Sequence, residues 1–182
     1  MALKVKQIPE RIGWYLAGFA DGEGSFSVAF RRRRDCTMPW KVSLRFNVSQ
    51  RDKVILALFK RHLRCGTLRM RSDGVWCYEV NNLNAIRENV IPFFERFGFL
   101  SAKKKRDFSK FRKIARILAE GEHLDGAGIR EILRIRAGMN DGGAGRRKYS
   151  EEEILAAFHQ GKSPEAIRQA RREQPDAASS QA

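Results

Sequence analysis

The chain has 182 residues, 42% of them hydrophobic and 31% charged, and 36 Lys and Arg stand against 21 Asp and Glu for a net charge of +15. That length fits one domain with a short tail, and a mean hydropathy of -0.50 with no apolar run of about 20 residues excludes a membrane-spanning helix. A surface this basic repels itself without a polyanionic partner, so nucleic acid is expected first and an anionic membrane face second.

The first element is a helix over about Pro9 to Asp21. Pro9 suits a first turn, and Ile12, Tyr15, Leu16, Phe19 and Ala20 are spaced for one apolar face. Ala17 and Gly18 are small where a neighbour approaches closely. Asp21-Gly22-Glu23-Gly24 is expected to end the helix. A strand follows over about Ser25 to Arg33, with Phe26, Val28 and Phe30 alternating against Ser25, Ser27, Ala29, Arg31 and Arg33. After a turn around Asp35 to Pro39, a second strand from Trp40 to Ser49 repeats the pattern. Trp40, Val42, Leu44, Phe46 and Val48 face one way, and Lys41, Ser43, Arg45, Asn47 and Ser49 the other. Asp52 to Leu63 reads as a helix with Val54, Ile55, Leu58 and Phe59 inward. A third strand sets Thr67, Arg69 and Arg71 against Leu68 and Met70. Ser72-Asp73-Gly74 makes a hairpin turn, and a fourth strand, Val75 to Val80, points Trp76, Tyr78 and Val80 inward.

Helices are expected over about Leu83–Phe97, Ser101–Ala119 and Gly128–Met139. Residues 140–145 form a glycine-rich linker. Ser150-Glu151-Glu152-Glu153 is a capping box for a short helix to about Gln160. Ser163-Pro164-Glu165 opens another, and the polar end from about Gln174 is expected to be disordered. The organisation is therefore αββαββα in residues 1–140, an α+β domain, with 141–182 as a linker and short helical tail. The tail also admits a helix-turn-helix-like DNA contact, though a helical appendage packed on the domain is the simpler reading.

An antiparallel sheet with helices on one face has a polar outer face in any case. That explains polarity better than it explains sign. Arg31, Arg33, Lys41, Arg45, Arg69 and Arg71 are all basic, with no acid on that face until Glu79. Such a face suits a major groove. Arg outnumbers Lys 24 to 12. Guanidinium forks grip phosphate or guanine bidentately, although a GC-rich genome gives the same bias. Three cysteines, Cys36, Cys65 and Cys77, with no C-x-x-C pair, argue against a disulfide framework or a structural zinc site. Reduced thiols and a start without a signal-peptide stretch give an intracellular protein, in a bacterial cytoplasm or an organelle.

The segment Leu16-Ala17-Gly18-Phe19-Ala20-Asp21-Gly22-Glu23-Gly24 carries the strongest local signal. Two carboxylates sit at a helix C-terminus, where the macrodipole disfavours each by about 0.3–1 kcal/mol. They are solvated acids, partners of nearby Arg, or a carboxylate beside open carbonyls that suits a hard divalent cation.

This segment resembles the LAGLIDADG motif of homing endonucleases, matching at Leu16, Ala17, Gly18, Asp21, the acidic eighth position Glu23, and Gly24. The element order, Val-Ser-Gln at 48–50 and Lys-Lys-Lys-Arg-Asp-Phe at 103–108 are also similar to the family, over about residues 9 to 140. The resemblance implies a saddle-shaped four-stranded sheet. The motif occurs once, and single-copy members are homodimers. The resemblance therefore implies a two-fold seam of motif helices at Leu16, Ala17, Gly18 and Phe19, and a pseudo-palindromic double-stranded DNA target. It implies metal-dependent hydrolysis of both strands, in support of the mobility of a host intron or intein.

By the same resemblance Glu23 is the metal ligand, the carbonyl of Gly22 its neighbour, and Asp21 a structural helix-end residue. Mg2+ or Mn2+ is implied as cofactor, with Ca2+ able to occupy the site without supporting cleavage. Gln50 matches a position that orients solvent. Lys103 matches a basic position near the scissile phosphate, with Lys104 or Lys105 as alternative registers. Where a relative has a further basic residue this chain has Val54, so that either Arg51 or Lys53 substitutes or the role is absent. Sequence readout is expected from Ser27, Ala29, Arg31, Arg33, Lys41, Ser43, Arg45, Asn47, Thr67, Arg69 and Arg71, with Cys77 and Glu79 as further candidates, Arg reading guanine and Asn47 adenine. Arg32 and Arg34 are expected to point to the other side or to extend towards the DNA backbone. Two other functions fit the same fold: a maturase that binds intron RNA, and a DNA-binding protein that no longer cuts.

Overall fold

The structure, a computed structural model, describes residues 4–33, 40–140 and 148–159. The expected turn at 35–39 with Cys36 and Arg34, most of the linker at 140–145, and the tail beyond residue 159 lie outside the described residues. Among the described residues no helix is long and apolar enough to cross a membrane.

A short 3-10 turn, Val5–Gln7, leads into helix α1, Glu10–Glu23. Strands β1 (Gly24–Arg32) and β2 (Trp40–Gln50) follow, then α2 (Lys53–Leu63), β3 (Thr67–Met70) and β4 (Trp76–Val80). Next come α3 (Leu83–Ala85), a π turn at Ile86–Val90, α4 (Ile91–Phe97), α5 (Ala102–Ala119), α6 (Gly126–Ala137) and α7 (Glu151–His159). The strands form one antiparallel sheet in the order β1-β2-β4-β3. This is the α+β architecture that the strand periodicity predicts.

Local chemistry accounts for the boundaries. The side chain of Asp52 accepts from Val54 N at 2.8 Å to start α2, and that of Asp125 accepts from Gly128 N at 2.7 Å to start α6. Before α7, Ser150 Oγ accepts from Glu153 N while Ser150 N donates to Glu153 Oε2, the reciprocal box its sequence predicts. Two boundaries differ from expectation. The first helix runs through Asp21, Gly22 and Glu23 instead of ending in them. The single helix expected over Leu83–Phe97 is split by the π turn, because Pro92 has no N–H for the carbonyl four residues back.

The inner sheet face and the helices share one core. Phe26 is 1% exposed, and its ring meets Phe46, Phe94, Phe99, Phe108 and Phe111 at centroid distances of 4.9 to 5.8 Å. It lies three residues after the end of α1, so this cluster fixes where the motif helix delivers its last turn. Gly24 makes the passage from α1 to β1 sterically feasible, since a Cβ there would stand 2.6 Å from the Ala20 carbonyl oxygen. Helix α7 packs on α6, with Ile154 fully buried and Tyr149 edge-on to Trp40 at 4.7 Å, so this part of the tail joins the core.

Candidate active site and nucleic-acid interface

At the C-terminus of α1 the two motif acids have different surroundings. Asp21 Oδ2 accepts from Leu100 N at 3.0 Å and Ser101 N at 2.9 Å, and Oδ1 accepts from the Ser101 hydroxyl. Burial alone would raise the Asp21 pKa. The Ser101 hydroxyl, the two N–H groups and the Lys104 charge outweigh it and hold the carboxyl below its ordinary value. Ser101 is the N-cap of α5, so Asp21 carries its charge at the positive end of that helix, which offsets its place at the negative end of α1. Glu23 has no such compensation. It is exposed and makes no hydrogen bond or ion pair among the described residues.

Beside Glu23 the chain presents the last carbonyls of α1. The Ala20 oxygen accepts from Gly24 N, while those of Asp21, Gly22 and Glu23 have no further helical turn to bond. An uncommitted carboxylate beside open carbonyl oxygens is the donor set a hard divalent cation takes. Among the described residues no three of His, Cys, Asp and Glu converge elsewhere as a metal cluster.

Sheet register brings Gln50 to the same end. Gly24 pairs with Val48, and Gln50 lies two residues beyond. Its Oε1 accepts from Arg51 N at 2.7 Å. Of the possible extra basic residues, Lys53 sits 4.4 Å over the Trp76 ring, and Arg51 and Val54 are exposed.

The lysine run divides its roles. Lys103 and Lys105 are exposed on α5, whereas Lys104 is half-buried and its Nζ donates to the Gly24 carbonyl. Burial pushes the Lys104 ammonium below its ordinary pKa, and Lys103 adds to this, while the Asp21, Asp107 and Glu23 carboxylates oppose it. Lys104 therefore pins the start of β1 to α5. Its spacing of four and seven from the buried Phe108 and Phe111 is a helical-face signal for inward placement that a reading by motif register passes over.

The outer sheet face carries the predicted polar positions at matched heights. Arg31 stands opposite Lys41, Ala29 opposite Ser43 and Ser27 opposite Arg45. One row crosses all four strands, Ser25–Asn47–Glu79–Thr67, and the next holds Ser49–Cys77–Arg69. Arg33 is exposed just past β1. Like charges directly opposite are destabilising, so the Arg31–Lys41 pair fits a surface that meets a polyanion. One position differs from expectation. Arg71 lies beyond β3 in the hairpin turn, ion-paired to Asp73 at 3.0 Å. Glu79, a further candidate for readout, is an 8% exposed acid within the face, flanked by Arg45 and Arg69.

The free surface of α1 also differs from expectation. Leu16 and Ala17, expected at a seam between copies, are 0% and 2% exposed within this chain, because they sit on the stripe that packs on the core. The open stripe is Arg11, Trp14, Tyr15, Gly18 and Gly22, with Phe19 half-buried beside it. Trp14 and Tyr15 are 56% and 55% exposed, and a Cβ on Gly18 or Gly22 would meet nothing within 4 Å.

With this geometry in place, comparison with known proteins is informative. A family model described as LAGLIDADG endonuclease matches residues 16–115. The homing endonuclease I-ApeII of Aeropyrum pernix is 29% identical over 146 residues, covering 78% of this chain and 86% of that protein. A probable intron-encoded endonuclease of Neurospora crassa is 27% identical over 145 residues, which is 78% of this chain but 32% of that protein. Among solved structures, the archaeal intron-encoded homing endonuclease I-Vdi141I in complex with DNA is similar at TM-score 0.72 and 28% identity, over 82% of this chain and 94% of that one. I-SmaMI bound to an uncleaved DNA target in the presence of calcium ions is similar at TM-score 0.69 and 27% identity, over 82% of this chain and 49% of that one. The chain thus spans about a quarter to a half of its longer relatives and most of its shorter ones.

Proposed function

This chain belongs to the LAGLIDADG endonuclease family, and we propose that it acts as a homodimeric homing endonuclease that cuts both strands of a long pseudo-palindromic DNA site. One observation carries the proposal. Of the two acids at the foot of α1, Asp21 is hydrogen-bonded to α5, whereas Glu23 makes no hydrogen bond or ion pair among the described residues. A carboxylate with no hydrogen-bond donor beside it at the negative end of a helix costs stability and is available for chemistry.

The open stripe of α1 suits a copy of itself. Gly18 and Gly22 admit close helix approach, and Trp14 and Tyr15 supply apolar area beside them. Such a seam brings two Glu23 side chains to one place and extends two basic sheets along neighbouring half-sites. Glu23 and the Gly22 carbonyl would hold a divalent ion, which supplies an acidified water and neutralises charge on the leaving oxygen. Gln50 presents an amide at the same end of the sheet, and Lys103 an ammonium towards phosphate. The sheet grips the groove with Arg31, Arg33 and Lys41 and reads it with Ser27, Ala29, Ser43, Arg45, Asn47, Thr67 and Arg69. Relatives named as intron-encoded endonucleases support mobility of a host intron as the biological role.

A target site is obtained by selecting duplexes from a random pool that the chain binds in Ca2+. Glu23→Gln is then expected to bind the selected duplex in Ca2+ as wild type does. In Mg2+ it should cleave at least about a hundredfold more slowly, since a lost metal ligand removes several kcal/mol of transition-state stabilisation. Cleavage by Glu23→Gln at the wild-type rate removes the catalytic assignment.

A further inference from the structure

We propose that Glu79 is a positioning residue for sequence readout, a buried carboxylate that aims Arg45 and Arg69 at base edges without itself touching DNA. The inference rests on the DNA-cleaving reading above and concerns how that face discriminates between sequences.

Glu79 lies on β4 with Asn47 of β2 and Thr67 of β3 as its cross-strand neighbours. Its Oε2 is 3.3 Å from Arg45 Nε and 3.6 Å from Arg69 Nη2, and its Oε1 accepts from Asn81 Nδ2 at 3.3 Å. One acid thus joins a guanidinium on β2 to one on β3 across the strand between them. The side chains are layered, with Glu79 9% exposed beneath Arg45 at 39% and Arg69 at 60%. A base edge approaching the sheet meets the two guanidiniums before it can meet the carboxylate.

Stability alone does not explain this placement. Glu79 Oε2 is buried and makes no hydrogen bond of good geometry among the described residues. The two guanidiniums are what offsets its desolvation, and such pairs are often replaceable by apolar groups at no loss. Recognition explains it better. A guanidinium has five N–H donors, so one held by Glu79 leaves enough for the two-pronged contact with guanine O6 and N7. An arginine already restrained gives up less conformational freedom on binding. The carboxylate also lowers what these arginines gain from a bare phosphate. Arg45 and Arg69 are thereby directed to bases, while Arg31 and Lys41, which face each other with no ion-paired acid among the described residues, are left to grip the backbone.

The test uses the full chain, the selected duplex and binding in Ca2+. Base preference at each half-site position is measured by competition for wild type, Glu79→Gln, Arg45→Ala and Arg69→Ala, and the salt slope is measured on an unrelated duplex. Glu79→Gln should lose about tenfold in discrimination, the scale of one bidentate contact, at the positions that the two arginine variants relax. It should also bind the unrelated duplex more tightly and with a steeper salt slope. A wild-type preference profile overturns the inference, as does a loss confined to positions neither arginine governs. Circular dichroism shows whether Glu79→Gln is folded. If it is not, Glu79→Asp keeps the charge on a shorter arm and should relax the same positions by a smaller factor, and an unaltered profile in that variant is equally fatal. A wild-type chain that enriches no duplex sinks the preceding reading as well, whereas enrichment with an unaltered Glu79→Gln profile sinks this one alone.

Discussion

Asp21→Asn separates the structural acid from the chemical one. The carboxylate of Asp21 accepts three hydrogen bonds, from Leu100 N, Ser101 N and the Ser101 hydroxyl, all at the entrance of α5. Asparagine keeps one acceptor oxygen and turns an NH2 towards the Ser101 oxygen, which already accepts from Lys104 N at 3.3 Å. The charge is lost from all three bonds. Hydrogen bonds to charged groups contribute about 1.5–3 kcal/mol and neutral ones about 0.5–1.5. Because this corner is partly open to water, which replaces part of the loss, the net cost is about 1–2 kcal/mol, or roughly 2–8 °C in Tm for a chain of this size. The pH dependence has a definite sign. The folded pKa of Asp21 is depressed, so its contribution is fully present above the unfolded value of about 3.9 and is lost as pH falls through the folded value. Melting curves followed by circular dichroism should separate wild type from Asp21→Asn at pH 7 and converge in stronger acid. The Mg2+ concentration for half-maximal cleavage should stay unchanged. Equal Tm at pH 7, or an unchanged Tm with a shifted Mg2+ requirement, refutes the division of labour between Asp21 and Glu23.

Two further outcomes follow from packing. Gly18→Leu adds a side chain where nothing in the protomer lies within 4 Å and removes a helix-interior glycine, a change favourable by about 0.5–1 kcal/mol. Sedimentation equilibrium should nevertheless show a folded monomer in place of a dimer, and a dimer that persists places the seam elsewhere. Phe26→Ala empties a ring site that is 1% exposed and should cost about 3–5 kcal/mol in urea unfolding. A loss below about 1.5 kcal/mol would mean that the aromatic cluster does not fix the end of the motif helix.

The division between Arg31–Lys41 and Arg45–Glu79–Arg69 gives the sheet two kinds of cation in one surface. The first pair sets like charges opposite each other, with no ion-paired acid among the described residues. The second set already has a carboxylate between its two cations and keeps its geometry without a polyanion. Affinity and discrimination are then separable by mutation, as phosphate and base contacts generally are.

Much of this protein was legible from residue order. Alternation over Phe26, Val28 and Phe30 and from Trp40 to Val48 assigned both sheet faces, because strand side chains alternate with period two whatever packs on them. Asp52 and Ser150–Glu153 marked helix starts, since a cap is made within a few residues of itself. Glu23 stood out because an acid at a helix C-terminus is locally unfavourable. Periodicity, however, gives a residue's side on its own element and not what meets it there. Asp21 is bound by Leu100 and Ser101, about eighty positions away, Glu79 by Arg45 across the sheet, and Lys104 by Gly24. The same holds for α1, whose apolar residues fit several stripes until the core buries Leu16 and Ala17 and leaves Tyr15 and Gly18 in the open. Which acid is free, which lysine is anchored and which helix face remains uncovered were decided by tertiary contact, because each depends on groups that only the folded chain brings within a few ångströms of one another.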